Sequence, residues 1–306
     1  MKKDTTTITF EFTKEQKRQI SKYIADPLVS APPGSYAISN EVARVPLRLE
    51  IQEIKLLAHF LSKLKRFDDN RDSTGKIEIT TTLSDMIKAC NSTAVNSSYY
   101  KKLAKGLIQK LVVEIRNKVS SVIWEVDFNS PDEVRVRFSE AFIPEINGLA
   151  DHFTVLTLAY TYQFKSKYSF LLYSYLKSWQ STGATQFKTT EELRTLFGLD
   201  PGEYIRADGK FNRPAFEKYT IEKAVHEINT NSDLAVAWTK VYQGQDKRTK
   251  VKLVRAYMFE VMPNKDNIMP PKEAPIKTTA PKKTKKEPPK ESPLLDPVPG
   301  QASFDL

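Results

Sequence analysis

The side chains of this chain that can do chemistry are cations and amides on helical stretches, not nucleophiles beside bases. The three histidines, His59, His152 and His226, lie far apart and lack paired metal-ligand spacing. There is no His-x-His pair with an attendant tyrosine, as a strand-nicking enzyme would carry, and no Cys-x-x-Cys. Gly183-Ala-Thr-Gln-Phe-Lys188-Thr189 lacks the glycine before lysine that a P-loop requires. The expectation is a binder with no cofactor and no metal. Asn212, Arg213, Lys218, Tyr219 and Glu222, by contrast, gather at the start of one helical pattern. Arginine can pair bidentately with guanine, asparagine with adenine, and glutamate can accept from cytosine, so such a set can read base edges. Arg206 and Lys210 just upstream can clamp phosphates, as can Lys247, Arg248 and Lys250 in a later turn. A second set, Ser98, Lys101, Lys102 and Lys105 with Arg116 and Lys118 beyond it, is almost uniformly cationic. It suits a phosphate backbone better than a base sequence. The plain alternative for each cluster is an ordinary solvated face.

Bulk composition agrees with a polyanion partner. The 306 residues carry a formal net charge of +10, which raises the local potential and speeds encounter with nucleic acid. A single cysteine, Cys90, excludes an intramolecular disulfide and fits a reducing cytosol. The start of the chain has no apolar stretch of signal-peptide length, and no apolar run approaches the ~20 residues of a membrane helix. These features lead us to expect a cytoplasmic protein with no membrane partner.

The elements that must hold these residues fall into two blocks of the same grammar. In the first, Leu47, Ile51, Ile54, Leu57, Ala58, Leu61 and Leu64 recur at helical spacing. A short strand at 76–80 and a helix at 82–89 follow. A second helix from Ser97 puts Tyr100, Leu103, Ala104, Leu107 and Leu111 on one face. Strand patterns cover 112–116, 121–128 and 134–138. The second block opens with a strand at 154–158. A helix carrying Tyr168, Leu171, Leu172, Tyr175, Leu176 and Trp179 comes next, then a short extended piece at Phe187. A helix at 190–197, ended by Gly198, precedes another at 216–229 and two strands at 234–242 and 250–260. Helix, short strand, helix, helix, hairpin is the order of a winged helix, whose second paired helix can lie in a major groove. The expected fold is α+β, with tandem winged-helix domains at 35–150 and 151–262. Residues 1–34 read as an N-terminal extension and linker. At 263–306 proline and lysine dominate, and the segment reads as a disordered tail.

Residues 35–260 resemble the iteron-binding plasmid replication initiators of the RepB/RepE type. The resemblance rests on Tyr168-Ser-Phe-Leu-Leu-Tyr173-Ser-Tyr-Leu176, on Glu192-Leu-Arg194 before Leu196-Phe-Gly198-Leu and Tyr204, and on Phe216-Glu-Lys-Tyr-Thr-Ile221-Glu-Lys-Ala224-Val225-His-Glu-Ile228-Asn229. Where the family often has a basic run after the phenylalanine, this chain has Glu217-Lys218-Tyr219. The resemblance implies binding to repeated double-stranded origin sites, chiefly by the second winged helix. It also implies a monomer–dimer equilibrium involving the first, and recruitment of the host initiator DnaA and the replicative helicase. A tandem winged-helix transcriptional repressor with no replication role has the same architecture and remains the alternative. The chain ends Gln301-Ala-Ser303-Phe304-Asp-Leu306, which resembles the hexapeptide that docks on the bacterial sliding clamp. Gln301 and Ser303 would supply polar contacts there, and Phe304 and Leu306 apolar anchors.

Overall fold

The computed structural model describes residues 34–64, 76–92, 96–115, 117–146, 153–180, 187–245 and 252–264. The segments read above as N-terminal extension and tail lie almost wholly outside them.

The chain opens with strand β1 (Ser35–Ser39) and a short helix α1 (Asn40–Arg44), capped by the Ser39 side chain. Helix α2 (Ile51–Lys63) starts at a capping box in which Glu50 and Glu53 satisfy each other's backbone donors. It buries Ile54, Leu57, Ala58 and Leu61, the helical stripe seen in the sequence. Strand β2 (Glu78–Thr81) leads to α3 (Leu83–Cys90), which Asn91 ends in a left-handed conformation. Helix α4 (Ser97–Lys110) precedes the hairpin β3 (Val112–Ile115) and β4 (Lys118–Ser121), then β5 (Ile123–Ser130) and β6 (Glu133–Phe138). In the second half, β7 (Phe153–Thr157) and α5 (Leu158–Gln163) come before α6 (Lys167–Lys177), β8 (Lys188–Thr189) and α7 (Thr190–Leu196). A long helix α8 follows, in three successive segments: Arg213–Phe216, Glu217–Glu222 and Lys223–Asn231. Strands β9 (Leu234–Gln245) and β10 (Lys252–Pro263) form the final hairpin.

The described strands include two antiparallel sheets of the same order, β2-β6-β5 and β8-β10-β9. In each, the short strand before the helix pair joins the last strand of the hairpin, which is how a winged helix ties its wing to its helix-turn-helix. Both winged helices expected from the sequence are present. The buried apolar residues of the two halves form one continuous cluster.

One boundary differs from the sequence reading. Strand β7, read as the opening of the second block, pairs antiparallel with β1, Tyr36 opposite Leu156 and Ile38 opposite Thr154. A division at 150/151 would therefore cut a hydrogen-bonded sheet whose buried side chains face the common core. Periodicity identifies both strands as extended, but it carries no information about which distant strand each one joins.

Candidate nucleic-acid interface

Helix α8 occupies the recognition position of the second winged helix, and its burial pattern sets what it can offer. Phe216, Thr220, Ala224 and Ile228 are fully buried at a strict spacing of four. In a regular α-helix that spacing would swing the stripe about 40° further at every step. The wider π-helical turns at Glu217–Glu222 absorb the drift. Thr220 Oγ1 donates to the Phe216 carbonyl at 2.6 Å, so the buried hydroxyl is satisfied within the helix. The helix starts at Asn212, whose Oδ1 accepts from Ala215 N at 3.4 Å, and Pro214 sits in its first turn.

A buried polar network fixes this helix to the sheet. Glu217 is 5% exposed. Its carboxylate accepts from Tyr257 Oη at 2.9 Å and from Lys240 Nζ at 2.6 Å. Tyr257 Oη in turn accepts from Arg213 Nη1 at 3.0 Å, and the same Nη1 donates to Thr190 Oγ1 at 3.0 Å. The guanidinium also lies over the Phe211 ring. Burial pushes the Tyr257 phenol up to about 12; the Arg213 charge opposes the shift and the bond to Glu217 reinforces it. The tyrosine therefore stays protonated and donates to Glu217. Through these bonds α8, α7, β9 and β10 are held together.

The sequence-predicted residues consequently separate. Lys218, Tyr219 and Glu222 stand on the exposed face of α8, with Tyr219 54% exposed. Asn212 and Arg213 do not join them, because the first caps the helix and the second is bonded inward to Thr190 and Tyr257. Their polar character read as base chemistry, yet the partners that claim Arg213 lie 23 and 44 residues away along the chain. Lys223 and His226 share the outward face, though the sequence does not group them with the candidate contacts. Their spacing of four from Tyr219 and Glu222 was the available signal. Arg206 and Lys210 are exposed on a tight loop closed by Arg206 N donating to Lys210 O at 2.9 Å, with Lys210 Nζ 3.7 Å from Asp208. Lys247, Arg248 and Lys250 lie outside the described residues.

In the first winged helix α4 holds the equivalent position. Ser98, Lys101, Lys102 and Lys105 all fall on its exposed face, as their spacing requires, and Lys101 Nζ lies 5.6 Å from the centre of the Phe128 ring. Lys118 is in β4 but its side chain is outside the described residues, as are Arg116 and the terminal Gln301, Ser303, Phe304 and Leu306. Among the described residues no helix is long and apolar enough to cross a membrane.

Residues 35–177 match the family model for the first winged helix of the initiator replication proteins, and residues 189–261 match the model for the second winged helix of the initiator Rep proteins. The chain belongs to the initiator replication protein family. Together the two models take in both winged helices described above, and the first extends through α6. Among solved structures, this family member is similar in fold to the Pi initiator protein, crystallised in complex with iteron DNA. That match has a TM-score of 0.53 and 14% identity, and covers 75% of this chain and 98% of the other. No curated protein matches the chain significantly.

Proposed function

We propose that this initiator is a plasmid replication protein that binds repeated sites in double-stranded origin DNA and nucleates opening of the origin there. The observation that carries the reading is the division of labour on α8. Arg213 and Glu217 anchor the helix inward, while Lys218, Tyr219, Glu222, Lys223 and His226 are presented outward on a rigid element. On this reading Lys218 and Lys223 meet phosphates, and Tyr219 and Glu222 meet base edges. Asn212 and Arg213 act by positioning the helix. The α4 face of Ser98, Lys101, Lys102 and Lys105 adds a second, sequence-blind hold on the backbone one turn away. Arg206, Lys210 and the cationic wing turn with Lys247, Arg248 and Lys250 contribute flanking phosphate contacts. The role is binding rather than catalysis. Self-association through the first winged helix, recruitment of DnaA and the helicase, and clamp docking by Gln301, Ser303, Phe304 and Leu306 belong to the same proposal. So does the assignment of 35–150 and 151–262, adjusted for the β1–β7 pairing, as its two functional halves. The protein's place in the initiator family, rather than any single residue, favours replication over simple repression.

The test is a footprint of the full-length protein on its own upstream DNA across a salt series. Protection of regularly repeated units is the expected result. Lys218→Ala and Lys223→Ala should each weaken binding and lower the salt slope by about 1, and Glu222→Ala should relax base preference at one position. Sequence-blind binding that none of these substitutions changes would overturn the reading.

A further inference from the structure

The outer half of the β9–β10 wing carries a feature that phosphate contact does not explain. Along β9, Trp238, Lys240 and Tyr242 alternate onto a single face. Trp238 packs against Tyr257, their ring centres 6.0 Å apart, and Lys240 Nζ reaches Glu217 on α8. That face is therefore the one turned toward the recognition helix. Tyr242 is the next residue on it, about 7 Å beyond Lys240 along the strand. Here the core ends. On β10 every buried side chain lies from Ala256 onward, and β8 joins the sheet only at Ala256 and Tyr257. Lys252, Leu253 and Arg255 are exposed, and Tyr242 is 47% exposed.

The ladder is irregular on either side of Tyr242. It pairs with Val254, and register shifts lie between Lys252 and Val254 and again between Val254 and Ala256. The first leaves one extra residue on β9 near Gly244, whose φ is +68°, and the second leaves Arg255 unpaired on β10. Such bulges add twist and re-aim side chains, here at the point where the ribbon leaves the body of the domain. The chemistry at that point is a half-exposed aromatic ring with Lys252 Nζ 5.4 Å from its centre, on a stretch of β10 where Leu253 and Arg255 are exposed as well. A partner that matches a flat aromatic ring beside a cation presents π-faces next to phosphates, as a base step of DNA does.

We propose that Tyr242 is a wedge. With α8 in the major groove, the outer wing carries this ring into the adjoining minor groove, where it stacks on one base step and partly opens it. Lys252 meanwhile holds the adjoining phosphate. The proposal rests on the DNA-binding reading above and adds to it the residue that distorts the duplex.

The experiment uses the full-length protein and duplexes of its footprinted site carrying 2-aminopurine at successive positions across the site edge. Binding of the unaltered chain and of Tyr242→Phe should raise the fluorescence at one step, reporting unstacking. Tyr242→Ala should lose that signal and bind about tenfold more weakly, within the range for loss of one base–aromatic stack. Its salt slope should not change, whereas Lys252→Ala should lower the slope and keep the fluorescence. Unchanged thermal melting of Tyr242→Ala is expected, because the ring is outside the core. The proposal is overturned if Tyr242→Ala keeps both signal and affinity, if Tyr242→Phe behaves like Tyr242→Ala, or if the loss appears only on single-stranded DNA of the same sequence. Failure of the unaltered chain to bind its site at all would overturn the DNA reading itself, and the wedge with it.

Discussion

Glu217 offers the sharpest test of how the recognition helix is held. Its side chain is 7% exposed and takes one bond from Tyr257 and one from Lys240, whose own side chain is 32% exposed. A hydrogen bond to a charged group contributes about 1.5–3 kcal/mol, and removing one member of a buried ion pair costs about 3–5 kcal/mol because the other is stranded. In Glu217→Gln the partner left behind is Lys240, which is exposed enough to turn toward water. The expected cost is therefore at the lower end, about 2–3 kcal/mol. Lys240→Met strands a carboxylate that cannot reach water and retains only the Tyr257 bond, so it should cost about as much or more. The double variant should be less damaging than the sum of the two, with a coupling of about 1–2 kcal/mol. Urea unfolding followed by circular dichroism measures all three. DNA binding adds a second readout: affinity for the specific site should fall while affinity for random DNA holds or rises, because a negative charge is gone and the helix is less well aimed. Additive effects, or a cost for Glu217→Gln below ~0.5 kcal/mol, would refute the claim that this network sets the helix on its sheet.

Other consequences follow from buried groups elsewhere in the fold. His59, packed against Thr81 at 2.7 Å, has its pKa lowered to about 4, by burial first and then by the Lys63 charge. A folded value below the ordinary 6.5 means that stability is complete above pH 6.5 and is lost as pH falls toward 4. Over that window the unaltered chain should lose about 3 kcal/mol more than His59→Gln in urea titrations at each pH, and parallel curves would refute this. Burial pushes the Cys90 thiol up to about 11, with the Lys55 charge opposing it. At pH 8 it should therefore react with a disulfide reagent only at the rate of unfolding, and fast labelling of the native chain would contradict the structure. Gly106 sits in α4 where an added Cβ would lie 2.1 Å from Glu53 Oε1. Glu53 is held by Lys110 Nζ at 2.8 Å and by Glu50 N at 2.8 Å. Gly106→Ala should thus lower the melting temperature despite a helix-propensity gain of about 1 kcal/mol; a rise in melting temperature would show that Glu53 is free to move aside.

What was legible in the sequence is what local physics decides. The stripe of α2 and α4 and the left-handed Gly198 that ends α7 are local signals. Each fixes an element within a few residues of where it occurs. The repeated order of those elements was sufficient to name the winged helix twice. Pairing across the chain was not legible. The β1–β7 ladder joins strands more than a hundred residues apart, and nothing in either strand specifies the other.

The recognition helix shows the same limit at the scale of single side chains. Sequence reasoning places every charge on the outside, because an isolated buried charge is costly. By that rule Arg213 and Glu217 should both point outward. The rule fails here because the cost is offset by partners that only the fold supplies: Thr190 from the preceding helix, Lys240 and Tyr257 from the wing. The acidic residue is not on the outward face at all but buried beneath it. Its bonds to Lys240 and Tyr257 turn Glu217 inward, and Lys218 and Tyr219, the next two residues, are thereby presented outward. A carboxylate buried under the helix sharpens the cationic face above it, because it fixes where that face points.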